Sequence, residues 1–363
     1  MTLKHYGWLV SPYSAKTRSY LRYKGIAFSD EHPTIPALYG RIQKAVGRMI
    51  MPTVEQPDGT WLQDSSDIID ALETQHPTPA VEPDGPTQAL ASSLLELYGD
   101  EWLPMMALHY RWNTPANRAF ALAEFAREGL PWLPGFIGRR AVQPVAKRMA
   151  GYLPALGVTA DTIPGVERAA EKLISQLDVH LADHAYLLGD RPCVGDFALF
   201  GPLWAHLFRD PGSTALFDEA THVRSWMRRL LTARPADGDF ISDDEVPASL
   251  DPVFATVFQE TITWITRLVT AIDSWCSAHP DAERVPRALG HDAFSVGGAS
   301  GTRKLITFVQ YKAQRAILPY QALTTVAREP VDAWIARVAG EEAKLPTIAH
   351  PFERREFRTV LRT

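Results

Sequence analysis

Cysteine is scarce: the 363 residues contain two, Cys193 and Cys276, too few for a disulfide framework. No His or Cys spacing resembles a zinc ligand set, so no metal is expected. Long apolar runs are also missing, and none approaches the roughly 18 residues that a membrane span needs. Neither sign of charge dominates: 37 Lys and Arg stand against 42 Asp and Glu, for a net charge of -5, with both signs mixed along the chain. There is no basic stripe suited to nucleic acid and no polybasic block beside an apolar helix, so neither nucleic acid nor membrane is expected as a partner. MTLKHYGWLV, at the N-terminus, has no signal-peptide core or cleavage site, which points to the cytoplasm. Internal repeats and low-complexity tracts are absent too.

What is present is an ordinary globular balance, 46% hydrophobic and 22% charged, in a length that suits two or three domains. LKHYGWLV (3–10) is a short β-rich run. Ser11-Pro12 then opens a helix, with Ser a favoured N-cap and Pro a favoured first residue. Tyr13, Thr17, Tyr20 and Leu21 share one face of it; Lys16, Arg18, Arg22 and Lys24 take the other. Gly25 is placed to end the helix. IAFSDEH follows as a second strand, parallel to the first through a right-handed crossover. One helix is expected within 33–48, then a hairpin of TVEQ and TWLQ about Pro57-Asp58-Gly59. The helix of DSSDIIDALETQHP is capped by Asp64 or Ser65 and buries Ile68, Ile69 and Leu72.

PTPAVEPDGP (77–86) is a proline-rich linker, and no convincing strand follows it. Helices are expected near 86–112, 114–128, 137–150, 163–183, 195–208 and 220–233. A second linker spans 233–252. Beyond it come a long helix near 252–278, a looser PRALGHDAFSVGGASG, helices near 302–316 and 330–343, and a strand-compatible basic end, PFERREFRTVLRT. GGASGTRK (297–304) is not a phosphate loop, because GxxxxGK[ST] is absent; it reads as a flexible loop before a capped helix. Cys193 and Cys276 read as buried small residues.

A β-α-β-α-β-β-α unit followed by an all-helical domain resembles the glutathione S-transferase family. SPYS (11–14) is similar to the family's loop at the first helix, RMIMPTVE (48–55) to its cis-proline loop, and LQDSSDII (62–69) to its acidic-Ser-x-x-Ile helix start. PCVGDFALFGPLWAHL (192–207) resembles its capped inner helix, with Cys193 where Ser or Thr is usual. The resemblance covers about 1–235. It implies an α/β thioredoxin-like glutathione-binding domain (1–77), an all-α glutathione S-transferase-like domain (86–235) and, outside the family pattern, a mainly helical extension (250–363) of unassigned role.

The resemblance also implies the chemistry. An unperturbed thiol has a pKa of about 8.5, so glutathione needs help to ionise near pH 7. A hydroxyl donating to the sulfur supplies it, and so does the positive end of a helix dipole. Ser11 is the catalytic candidate, with Tyr13 and Ser14 in reserve; capping alone would also account for a Ser at this point. With no cysteine at 11 or 14, glutaredoxin-like exchange is not expected. Asp64 and Ser65 would hold the γ-glutamyl end, and Met51, before a cis Pro52, the cysteinyl backbone. Arg41, Lys44 or Arg48 would meet the glycine carboxylate. A hydrophobic electrophile would lie against a face carrying Tyr98, Trp102, Met105, Met106, His109, Tyr110 and Trp112, with Trp102, Met106 and Tyr110 as the pocket candidates; packing is the competing account of each. The implied activity is transfer of glutathione to that electrophile, by a homodimer. The alternatives are a non-catalytic binding or interaction module on the same fold, and a glutathione-dependent isomerase, lyase or peroxidase.

Overall fold

The computed structural model describes residues 2–236 and 238–362. The chain divides into two compact units, one of residues 1–81, 107–152 and 197–238, the other of 82–106, 153–196 and 239–363.

The first unit is built on four strands: β1 (Leu3–Tyr6), β2 (Phe28–Glu31), β3 (Thr53–Glu55) and β4 (Trp61–Gln63), in the order β2-β1-β3-β4. β1 and β2 are parallel, as a strand-helix-strand crossover requires; the β3 pairings are antiparallel. α1 (Pro12–Tyr23) lies on one sheet face with α3 (Ser65–Gln75), and α2 (35–46) follows β2. Tyr20, Leu21, Val54, Ile68, Ile69 and Leu72 are the core of this layer, each at most 1% exposed. Fully burying such a side chain contributes roughly 1.5–3 kcal/mol. The order and pairing are those of the expected thioredoxin-like unit.

The cationic face of α1 is met by partners rather than left in solvent. Arg18 Nε meets Asp30 at 2.6 Å, Lys16 Nζ meets Ser66 Oγ at 3.2 Å, Lys24 Nζ meets Glu73 at 2.8 Å and Arg22 donates to Leu231 O at 2.7 Å. The stems of Lys16, Arg18 and Lys24 are buried while the charged ends find partners.

The rest of the first unit is helical: the end of α4 (86–113), α5 (Pro115–Gly129), α6 (Gly135–Ala141), α7 (Gln143–Ala150), most of α9 (194–208) and α10 (Thr221–Leu231). The second unit holds the start of α4, α8 (Ile163–His180) and α11 (251–278). Cys193 and Asp196 open α9, and the missing Ser or Thr does not undo the cap: Asp196 Oδ2 accepts from Cys193 N–H at 2.9 Å and Oδ1 from Leu187 N–H at 3.1 Å. Both cysteines are buried and reduced, and burial pushes both thiols up.

The extension departs most from its sequence reading. PRALGHDAFSVGGASG is not loose: residues 288–306 form a hairpin of β5 (Ala288–Val296) and β6 (Ala299–Ile306), turning at Gly297-Gly298, both at positive φ. Strands therefore occur well beyond the first 77 residues. The helix expected from 302 begins only at Phe308, as α12 (Phe308–Ala322), and α13 (Thr325–Ala339) follows. The basic end pairs β7 (Phe352–Arg355) with β8 (Arg358–Leu361). The hairpin is embedded: Arg303, 2% exposed, lies between the Trp102 and Trp264 rings at 4.7 and 4.5 Å and donates to Glu101 O.

Candidate active site at one end of the sheet

Register assembles the site. Tyr6 pairs with Thr53, and Thr53 with Gln63. The residues after β1, before β3 and after β4 therefore leave the sheet at the same end. They are the Gly7–Ser11 turn, Met51-Pro52 and Asp64-Ser65.

Ser11 is the N-cap of α1, with extended backbone (φ -90°, ψ 121°). Its Oγ accepts from Ser14 N–H at 3.2 Å. Its own hydroxyl proton meets no acceptor among the described residues, and the side chain is only half-buried. The group thus caps the helix and retains a donor at the positive end of the helix dipole. Tyr13, also half-buried, occupies the first turn. Ser14 is different: it is fully buried, its Oγ unpartnered, beneath Gly7, where an added Cβ would stand 2.5 Å from that oxygen. Ser14 is thereby a packing residue, removed from ligand contact.

The Met51–Pro52 peptide bond is cis. Asp64 has φ 80° and ψ 133°, a conformation that costs an L-residue on the order of 1–3 kcal/mol. It turns the chain from β4 into α3, and its Oδ1 accepts from Ser66 N–H at 3.0 Å. Asp64, of the two alternatives, is the cap. Ser65 is then the first helical residue, and neither its N–H nor its hydroxyl donates to any described residue. A free N–H and O–H at a helix N-terminus fit a carboxylate.

Other residues in this unit were not legible as functional. Arg111, from α4, is 1% exposed; its Nε and Nη2 meet the Asp210 carboxylate, both at 2.7 Å. Nη1 donates to Val10 O at 2.8 Å, the carbonyl just before Ser11, and Nη2 also to Ala205 O at 2.7 Å. Burial lowers the Arg111 pKa and raises that of Asp210, so desolvation offsets much of the pair's attraction. What remains is position: a rigid fork fixes the turn that carries Ser11. At α9, Gly201 lets the helix approach α1; a Cβ there would stand 2.6 Å from Pro12 O.

Beneath the turn, His5 is fully buried, with Nδ1 3.0 Å from Asp30 and Nε2 2.7 Å from Thr17 Oγ1. Burial lowers its pKa to about 4, so it is neutral, donating to Asp30 and accepting from Thr17. Burial alone would raise the Asp30 pKa, but bonds from His32, His5 and Arg18 hold it well below the carboxylate range. His32, between Asp30 and Glu128, is held up at about 9 by those carboxylates.

Of the cations considered for a glycine carboxylate, Arg41 is engaged. It meets Glu55 at 2.7 Å and lies over the Tyr6 and Trp61 rings. Lys44 and Arg48 are exposed. The aromatic face divides. Tyr110 is half-buried in the first unit. Trp102 and Met106 belong to the second, at 1% and 0% exposure, and Trp102 packs on Trp264, Phe294 and Arg303. Both are thus core residues with no free face for a substrate, and Trp102 is covered by residues of the extension.

With this geometry in view, residues 6–80 match the glutathione S-transferase N-terminal domain and residues 160–229 the glutathione S-transferase C-terminal domain. The two matches, in this order on one chain, identify an N-terminal and a C-terminal domain of the glutathione S-transferase family at these positions. Similar solved structures include a GST-like protein from Pseudomonas syringae, at 20% identity over 65% of this chain and 70% of that one, with a TM-score of 0.43. Glutathione transferase GSTFuA3 from Phanerochaete chrysosporium is 18% identical over 65% and 99%, with a TM-score of 0.46. The β-etherase LigF from Sphingobium sp. strain SYK-6 is 18% identical over 65% and 96%, with a TM-score of 0.44. No curated protein matches the chain. Among the described residues no helix is long and apolar enough to cross a membrane, and no group of His, Cys, Asp and Glu is arranged to hold a metal.

Proposed function

We propose that the chain binds glutathione at this end of the sheet and ionises its thiol for transfer to an electrophile. The observation that carries the reading is the half-exposed Ser11 hydroxyl, which caps α1 through its oxygen and keeps its proton to donate. A thiolate placed there would accept that hydrogen bond and face the helix N-terminus, both of which favour the anion. Ser65 would receive the γ-glutamyl carboxylate, Asp64 the ammonium group, and the Met51 backbone the cysteinyl part. Loss of the thiol proton to solvent precedes attack; the sulfur lone pair then forms the C–S bond as the leaving group departs with its electrons. The protein acts in the cytoplasm as a homodimer.

Capping and catalysis are separated by Ser11→Gly, because Gly at an N-cap costs only about a few tenths of a kcal/mol relative to Ser and carries no side-chain donor. We expect nearly unchanged thermal stability, a kcat/KM at least about tenfold lower with a chromogenic aryl halide, and a thiolate absorbance that titrates at higher pH. An unchanged thiolate pKa would overturn the role of Ser11. A second reading, binding without conjugation, is favoured by the burial of Trp102 and Met106. Calorimetric heat with glutathione but no turnover of any electrophile would select it, and no heat at all would refute both.

A further inference from the structure

Residues 130–152 of the first unit reverse the usual logic of a helix pair. The buried positions of α6, α7 and the residue between them are Gly138, Val142 and Ala146, while Phe136 is 70% exposed, Ile137 42% and Val145 38%. Trp132, in the loop before α6, is 57% exposed. Gly138 sits against Ala126 of α5, where a Cβ would come within 3.0 Å, so the pair is held by its small stripe. Its large side chains point away from the protein.

Charge completes the pattern. From 129 to 160 the chain has no Asp, Glu or His, yet it carries Arg139, Arg140, Lys147 and Arg148, in a protein whose net charge is -5. All four are exposed, and none makes an ion pair or side-chain hydrogen bond among the described residues. Beside them a cleft of about 250 Å³ is lined by Ala123, Ala126, Leu130 and Leu133 together with Arg127 and Arg139. Monomeric proteins rarely leave such patches uncovered.

We propose that this segment is a docking surface for an anionic lipid bilayer, with Trp132, Phe136, Ile137 and Val145 in the headgroup–acyl boundary and the four cations at lipid phosphates. Interleaved bulky apolar and basic side chains suit that interface. A second copy of the chain suits it less, because a twofold contact would set four cations against the same four. A nucleic acid suits it less as well, because Ile137 and Val145 offer no ring on which a base can stack.

The test is sedimentation of the full chain with large vesicles of phosphatidylcholine, alone or mixed with phosphatidylglycerol, over a range of salt. Expected is pelleting with the mixed vesicles only, weakened by salt. Each cation replaced in the series Arg139→Gln, Arg140→Gln, Lys147→Gln, Arg148→Gln should lower the partition coefficient roughly fivefold. Phe136→Ser should lower it roughly tenfold. On adding mixed vesicles, the difference emission between the natural chain and Trp132→Phe should shift to the blue. All these positions are on the surface, and circular dichroism should report unchanged folding. The proposal is overturned by failure to pellet with mixed vesicles, or by pelleting that neither set of changes weakens. It is equally overturned if the changes disrupt a dimer, or retention of RNA or an acidic protein, without altering vesicle binding.

Discussion

Two stretches of the first unit carry four basic side chains each, and they are opposites. Around α1, Lys16, Arg18, Arg22 and Lys24 all end on a hydroxyl, a carboxylate or a carbonyl. On α6 and α7, Arg139, Arg140, Lys147 and Arg148 end in solvent. The residue types are the same, so the difference lies in what surrounds the stem. Where strands and a second helix close over α1, an unpaired charge would be costly, and each head group has been met. Where only Gly138, Val142 and Ala146 are buried, nothing demands a partner. Cations that are fixed shape a site, whereas cations left bare are available to something outside the chain.

The comparison is broken first by removing a fixed cation. Arg111→Met, leaving Asp210 buried and alone, should lose about 3–5 kcal/mol in urea denaturation, and adding Asp210→Leu should recover most of it. Arg18→Met should lose about 3 kcal/mol, at the low end because the Asp30 side chain is 26% exposed. A loss below about 0.5 kcal/mol in both would place these pairs with ordinary surface charges.

The same network sets a pH optimum. His32 is raised to about 9, so its contribution is full below its unfolded value of about 6.5 and is lost as pH rises through 9. His5 is lowered to about 4 by burial, so its contribution is full above about 6.5 and falls as pH drops toward 4, because the unfolded chain takes up the proton first. Melting temperature against pH should therefore peak near 6.5. His32→Gln should flatten the alkaline limb and leave the acid limb in place; persistence of the alkaline limb would assign it elsewhere.

The smallest effect is expected where the cations are bare. Changing Arg139, Arg140, Lys147 and Arg148 together to Gln should alter stability by no more than about 0.5 kcal/mol in the same urea measurement. A larger loss would mean that these residues serve the fold after all.

Much of the site was legible because its signals are local. Ser-Pro at a helix start, a Pro before a strand and an acidic-Ser pair before an apolar helix each act within a few residues, and strand register then collects them. Long-range features were hidden. Nothing near Arg111 in sequence indicates that it reaches Val10 and Asp210, and the depth of Ser14 depends on Gly7 in another element. The hairpin at 288–306 was missed because Gly290, Gly297, Gly298 and Gly301 suggest looseness, whereas Gly297 and Gly298 make its turn and Gly301 meets Thr162. Trp102 looked like a pocket residue because its covering residues, Trp264, Phe294 and Arg303, are supplied from much later in the chain.

That late covering bears on how the protein can be dissected. Lys312 meets Asp100 at 3.0 Å with both side chains 2% exposed, and Arg315 meets Glu96 at 2.9 Å. A chain cut after residue 238 would deprive two acids of α4 of these counter-cations and strip Arg303 and Trp264 from the indole of Trp102. The final third is thus no tail to be trimmed for convenience.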